Sequence, residues 1–340
     1  MKILICTGIY PPLVGGPAQY AKEIEGEFRR QGHSVKILTY VLERKLPPII
    51  RHKLFFWRSF FVMFGTDFVI ALDTFSVGFP AVCAANLLQK KIIIRTGGDF
   101  LWESYVERTG DLILFKDFYQ KRLNKLNLKE KLIFLVTRFT LENASAVVFS
   151  TQWQRDIFTK AYSLKTKKNF VIENFYGPKI ESHTPSQKVF VAGARNLKLK
   201  NFSNLKKTFS IAQKNNHDIK LDLDVAPYEK FLKKIQSSYA VISVSLSEVS
   251  PNLILDALRS NKPFICTRET GLYNKLKDVG IFVDPNNPEE IAEKISYLAS
   301  EDGYRKSLEN IRIFTYTHSW TEIINEFCVV YKALSLKGKI

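Results

Sequence analysis

Leu246-Ser247-Glu248-Val249-Ser250-Pro251-Asn252-Leu253-Ile254-Leu255-Asp256-Ala257-Leu258 decides how the rest of the chain is read. The run before it, from Tyr239 to Leu246, is rich in Val, Ile and Tyr and reads as a strand. Ser250 then Pro251 reads as an N-cap followed by proline at the first helical position, where its missing N–H costs nothing. The helix runs through Leu255 and Leu258 and gives out at Ser260-Asn261, before Pro263 opens another apolar segment. At such a helix start the amides of Asn252 and Leu253 point outward, and the positive end of the dipole favours an anion.

Two carboxylates bracket that place. Glu248 lies in the loop before the cap and Asp256 six residues inside the helix. Asn252, Asp256 and Arg259 share one helical face, while Ile254, Ala257 and Leu258 lie on the other. One reading is a loop glutamate and a solvent-facing aspartate. The other is a phosphate held by amides with a hydroxyl-bearing ring on either side, since a carboxylate accepts from a pair of sugar hydroxyls.

Outward from this stretch the chain alternates strands and helices. Lys2 to Thr7 is an apolar run suited to a buried parallel strand, followed by a loop containing Gly15-Gly16, a helix from about Ala18 to Gln31, and a second strand from Ser34 to Tyr40. This β-loop-α-β unit opens a doubly wound sheet, but no G-x-G-x-x-G stands between strand and helix. His33 reads as a turn residue. Lys91 to Arg95 is another strand, and Asp99 follows it after Gly97-Gly98. There it either faces a ligand at the carboxyl end of the sheet or caps the next helix. Ala146 to Ser150 and Phe170 to Asn174 complete the strands of this half, and Tyr176 to Lys188 is the most linker-like segment.

Beyond it, Val189 to Gly193 is a strand leading into a basic loop with Arg195, Lys198 and Lys200. Arginine offers forked donors and lysine a point charge, a pairing suited to two phosphates, with Lys198 able to replace Lys200 if the register slips. Ile219 to Val225 alternates as a half-exposed strand does. Its Asp222-Leu223-Asp224 mimics a metal-binding D-x-D, although the strand reading fits better. Pro263 to Cys266 is a strand, and the helix from Ser319-Trp320 to Leu334 closes the chain.

Composition bounds the function. At 340 residues the chain suits two domains, and 46% hydrophobic with 13% aromatic residues excludes disorder. A net charge of +17 predicts attraction to nucleic acid, an acidic membrane surface or phosphorylated substrates. Cys6, Cys83, Cys266 and Cys328 are scattered without a C-x-x-C and read as core thiols of a reducing, cytoplasmic compartment. No apolar run is long enough to span a bilayer. Residues 51–65 are aromatic with cationic punctuation: either a helix packed on the sheet with Arg58 snorkelling, or an interfacial helix touching headgroups. Between Lys116 and Arg138 seven Lys or Arg stand against two acidic residues, making the N-terminal half a candidate for peripheral contact with an anionic membrane.

Glu248 and Asp256, with seven residues between them, resemble the E-x7-E signature of retaining GT-B glycosyltransferases of the "glycosyltransferase group 1" family, with aspartate in second place. Arg195 and Lys200 resemble its GR-x4-K pair, Gly15-Gly16 its GG loop, and Asp99 in Gly97-Gly98-Asp99-Phe100-Leu101-Trp102-Glu103 a GDyxWE string of bacterial members. The resemblance spans almost the whole chain, although the usual G-x-G turn and following strand are missing before Pro227. It implies two Rossmann-like doubly wound domains facing a cleft: an acceptor domain over 1–175 with a crossover helix over 319–340, and a nucleotide-sugar domain over 186–318. By resemblance Glu248 orients the donor sugar, Asp256 contacts the ribose, and Asp99 faces the acceptor. Arg195, Lys200, Ser250, Asn252 and Leu253 hold the diphosphate, and Gly15 and Gly16 allow close approach. The implied reaction transfers a sugar from a nucleotide-sugar to a hydroxyl of a lipid-linked or polysaccharide precursor, without metal, cofactor or nucleic acid. A nucleotide-sugar epimerase of the same fold, and a basic module binding membrane or nucleic acid, remain alternatives.

Overall fold

The computed structural model describes residues 1–13, 15–193 and 197–336. In chain order the elements are β1 (Lys2–Thr7), α1 (Gly16–Arg30), β2 (Ser34–Thr39), α2 (Pro48–Met63), β3 (Phe68–Ala71), α3 (Gly78–Leu87), β4 (Lys91–Thr96) and α4 (Phe100–Thr109). They continue as α5 (Phe115–Lys121), α6 (Leu128–Asn143), β5 (Ala146–Phe149), α7 (Gln152–Tyr162), β6 (Asn169–Val171), β7 (Lys188–Val191), α8 (Phe202–Gln213) and β8 (Ile219–Asp222). Then follow α9 (Tyr228–Ser237), β9 (Ala240–Ser243), α10 (Asn252–Arg259), β10 (Phe264–Thr267), α11 (Tyr273–Leu276), β11 (Ile281–Val283), α12 (Pro288–Ala299), α13 (Glu301–Ile313) and α14 (Trp320–Leu336).

Two compact units result. The first comprises Met1–Leu101, Asn124–Phe175 and His318–Ile340, and the second Trp102–Leu123 and Tyr176–Thr317. Residues 102–123, placed by sequence with the N-terminal half, thus group with the second unit.

The first unit is built on a parallel sheet in the order β2-β1-β3-β4-β5-β6. Ile3 of β1 pairs with Val35 on one side and Phe68 on the other. Strands β3 and β5 are buried along their whole length, as expected where helices cover both faces. The expected crossover helix is present: α14 returns to this unit, and its Ile323, Ile324 and Phe327 join Ile24, Phe28, Phe68 and Ile93 in one core. Tyr331 stacks on Phe68 at 4.4 Å between ring centroids. Helix α1 begins at Gly16, two residues before the expected start, after Gly15 with φ of +148°, a backbone conformation that suits glycine. The segment read as a sheet-packed or interfacial helix is α2, with Phe55, Ser59 and Met63 buried. Its Arg58 does not snorkel: it pairs with the fully buried Glu43 and donates to the Thr39 carbonyl at 3.2 Å.

The second unit holds a parallel sheet in the order β11-β10-β9-β7-β8. Alternate residues of β9 enter different cores. Ala240 and Ile242 pack with Phe190, Phe209 and Ile295 on one face, while Val241 packs with Ile254, Leu258 and Phe264 on the other. In both sheets the first strand of the unit has its successor on one side and all later strands on the other. That is the doubly wound pattern, with its switch point between β1 and β3 in one unit and between β7 and β9 in the other. The segment expected as a linker carries no helix, yet it is tied along the second unit. Ile180 donates to the Arg259 carbonyl at 2.8 Å, and the Lys262 ammonium reaches the His183 carbonyl at 2.6 Å. Lys179 bonds the carbonyls of Leu258 and Ile311 near the ends of α10 and α13, where the helix dipole favours a cation. Burial lowers the pKa of both lysines to about 8.

Candidate functional site

The loops leaving β7 and β9 meet at the switch point of the second sheet, and Lys200 and Glu248 come together there. After β9 the chain passes through Ser245 and Ser247 to Glu248. The Glu248 carboxylate Oε1 receives the Lys200 ammonium at 2.5 Å and the Ser245 hydroxyl at 2.7 Å. Among the described residues nothing donates to Oε2. Lys200, expected on the diphosphate, thus reaches the glutamate expected on the donor sugar, 48 residues later in the chain. Lys198 is not its substitute, because its ammonium turns to the Glu107 carbonyl at 2.8 Å. Arg195 lies outside the described residues.

Backbone bonds hold Glu248 in place. Its N–H donates to the Glu269 carbonyl at 2.9 Å, and its carbonyl accepts from Gly271 at 3.1 Å, so the loops after β9 and β10 form a short parallel bridge. Residues 102–123 buttress the same loops. The Phe115 amide donates to Ser247 Oγ at 3.0 Å, Lys116 pairs with the buried Glu269 at 2.5 Å, and the Glu107 carboxylate accepts from the Leu199 amide at 3.2 Å. Lys116, read from sequence as part of a membrane-facing basic run, is thus turned toward the site loops. Arg122, of the same basic run, pairs with Asp111 within residues 102–123. Lys116, Glu107 and Glu269 went unrecognised as site supports, since their partners lie 91 to 153 residues away and no local spacing marks them.

Ser250 is not the N-cap of α10. Pro251 takes that position with φ −73° and ψ 102°, and the helix begins at Asn252. Proline's fixed φ suits both the cap and the first helical position, and here the extended ψ puts it outside. The Pro251 carbonyl accepts from Ile254 and Leu255, at 3.0 and 3.2 Å. Asn252 and Leu253 are the first two residues of the helix, at the positive end of its dipole. Just before Pro251, the Ser250 hydroxyl is buried and has no hydrogen-bond partner among the described residues.

Asp256 is buried rather than solvent-facing. Its Oδ1 accepts from the Tyr228 phenol of α9 at 3.0 Å, with Arg259 at 3.6 Å. Desolvation raises its pKa to about 6, against the opposing pull of the Tyr228 hydrogen bond and Arg259. Asp222, of the D-x-D triplet, pairs with Lys234 at 2.6 Å and accepts from the Asp224 amide at 2.9 Å, as a strand-end residue does. Among the described residues no group of His, Cys, Asp and Glu could hold a metal.

In the first unit, Asp99 follows the carboxyl end of β4 and is buried. Gly15 and Gly16 lie on the loop from β1 into α1. Asp73, a residue with no motif around it, stands at the end of β3. Its carboxylate accepts from the amides of Phe75, Val77 and Gly78, each at 3.0 Å, and so fixes the start of α3.

No family model matches the sequence, and no curated protein matches it. Solved structures do match the fold. A sucrose-phosphate synthase from Thermosynechococcus elongatus superposes with a TM-score of 0.71 at 11% identity, covering 99% of each chain. Anabaena HepE in complex with UDP and glucose gives 0.68 at 12% identity, over 98% of this chain and 100% of that one. The lipopolysaccharide outer core galactosyltransferase WaaB, in its apo form, gives 0.63 at 12% identity over 98% and 99%. From end to end, the chain has the GT-B architecture of two Rossmann-like units with a C-terminal helix returned to the first.

Proposed function

We propose that the chain is a glycosyltransferase that moves a sugar from a nucleotide-sugar to an acceptor hydroxyl, with retention of anomeric configuration and without a metal. The observation that carries this reading is the pairing of Lys200 with Glu248 beside a helix start where the buried Ser250 hydroxyl has no partner among the described residues. A buried hydroxyl left unpaired costs about 1–3 kcal/mol, which a ligand oxygen would recover. A diphosphate at the start of α10 would accept from Ser250 and from the Asn252 and Leu253 amides. Lys200 has three donors, so it can serve Glu248 and a phosphate oxygen together, with Arg195 as the second cation. These groups oppose the negative charge that develops on the departing nucleoside diphosphate, and protein cations do here what a metal would otherwise do. Glu248 would accept from donor-sugar hydroxyls through Oε2. Asp256 would offer Oδ2 to the ribose, in its ionised form. Asp99 would receive the acceptor hydroxyl, with Gly15 and Gly16 giving bare backbone beside it. The acceptor would be a lipid-linked or polysaccharide precursor at the inner face of a membrane, a reading supported by the surface described below and by the galactosyl transfer named for WaaB. HepE's UDP makes a nucleoside diphosphate the first ligand to try.

The test is a thermal-shift screen of the full chain with UDP, GDP, ADP and CMP, each with and without EDTA. A ligand that binds only the folded state raises Tm by mass action. One nucleoside diphosphate is expected to stabilise the wild type whether or not EDTA is present. Lys200→Ala and Ser250→Ala should weaken that shift. No shift with any nucleotide would sink the donor-site reading, and acceptor-free interconversion of the nucleotide-sugar would replace the transferase by an epimerase.

A further inference from the structure

Two helices of the first unit carry apolar stripes that remain exposed. On α2, Ile50, Leu54, Trp57 and Phe61 recur at helical spacing, and Phe64 continues the row just past the helix end. Trp57 is 53% exposed and Phe61 66%. On α6 the same spacing gives Leu128, Leu132, Leu135 and Phe139, with Leu128 85% exposed. Each helix buries its opposite face, through Phe55 and Met63 on α2 and through Ile133 and Leu141 on α6. Helix α3 joins them into one layer: the Phe79 ring meets His52 of α2 at 6.1 Å and Phe139 of α6 at 5.9 Å. Monomeric proteins rarely leave so many large apolar side chains together in water.

The exposed charges beside the stripes are mostly basic, the exception being Glu142 near the end of α6, which pairs with Arg138 at 2.9 Å. On α2 the exposed charge is Lys53, with Arg51 half-buried, Arg58 engaged by the buried Glu43, and no acid among residues 48–64. Around the start of α6, Lys125, Lys129 and Lys131 are exposed, while the intervening Glu130 is buried in the capping box with Asn127. An apolar face fringed by lysine fits a partner that is apolar inside and anionic at its rim. A second copy of the chain would instead set like charges against like. Among the described residues no helix is long and apolar enough to cross a membrane. We propose that α2 and α6 seat the chain on a bilayer containing anionic lipid. The rings of Trp57, Phe61 and Phe64 enter the boundary between headgroups and acyl chains, and the lysines lie on the headgroups. The residues of this face belong to the first unit and are separate from those of the donor site, so the two readings can fail independently.

The experiment is flotation of the full chain with vesicles of phosphatidylcholine alone, or with about a quarter of the lipid replaced by phosphatidylglycerol. Flotation is expected with the anionic vesicles, weaker with the neutral ones, and reduced when salt is raised. Pairing Phe61→Ser with Leu132→Ser should lower partitioning by about tenfold or more, with an unchanged melting curve because both positions are exposed. Lipid brominated in its acyl chains should quench tryptophan emission in the wild type and less in Trp57→Phe, a variant that keeps the apolar face. Three results would overturn the proposal: no flotation with either vesicle, flotation indifferent to the double variant, or sedimentation showing a dimer that the double variant dissociates.

Discussion

One turn inside α10, the Asp256 carboxylate is held by the Tyr228 phenol and Arg259, and burial raises its pKa from 3.8 to about 6. The folded chain therefore binds a proton there between about pH 4 and pH 6, where the unfolded chain has released it. Stability contributed by this group is present at about pH 4 and below and falls as pH rises to about 6, by up to about 3 kcal/mol for a shift of this size. Asp256→Asn keeps an acceptor for Tyr228 and removes the ionisation. Urea unfolding at about pH 4 and pH 7 should show the variant gaining about 1–3 kcal/mol on the wild type between those conditions. A pH-independent difference would show that the carboxyl does not titrate as its burial implies. The helical face of Asp256 was legible from spacing, but its burial was not. The covering ring comes from Tyr228 on another helix, and periodicity describes only one helix at a time. Lys200 and Glu248 were each legible as loop residues after a strand, but not their contact, which arises because the loops after β7 and β9 converge at the switch point of the sheet.

At the scale of elements, the strands were the readable part. Runs such as Ile92-Ile93-Ile94 and Val147-Val148-Phe149 are apolar because a parallel strand is covered on both faces. The grouping of Trp102–Leu123 with the second unit was not readable, since ties such as Lys116 to Glu269 leave no trace in local pattern. Close packing at the carboxyl end of β7 is also invisible until α9 is in place. A Cβ on Gly193 would lie 2.0 Å from Cε2 of Phe231 and 2.2 Å from its Cζ, so the ring must move. Gly193→Ala should destabilise the second unit by about 1–3 kcal/mol, the usual range for overpacking. Adding Phe231→Leu should restore part of the loss, and the difference between double and single variants in denaturant melts checks the coupling. Additive losses would mean that some other contact limits the glycine.

For the whole molecule, the governing feature is that α14, last among the described helices, completes the core of the first unit. Ile323, Ile324 and Phe327 are fully buried and Val330 nearly so. At roughly 1.5–3 kcal/mol for each buried side chain, removing the four forfeits about 6–12 kcal/mol, comparable to the entire stability of a typical domain. A chain ending before His318 should lose the calorimetric transition of the first unit and keep that of the second. Retention of both transitions would show that α14 is dispensable.

That helix also orders events during synthesis. The strands β1 and β3 are translated early and α1 soon covers part of one face of their sheet, but that face gains the rest of its cover only when α14 leaves the ribosome. The second unit's main segment is complete before then. The first-made part of the chain is thus the last to close, and its apolar strands wait partly covered while the other unit forms, which makes this interval the one in which a nascent-chain chaperone would matter most.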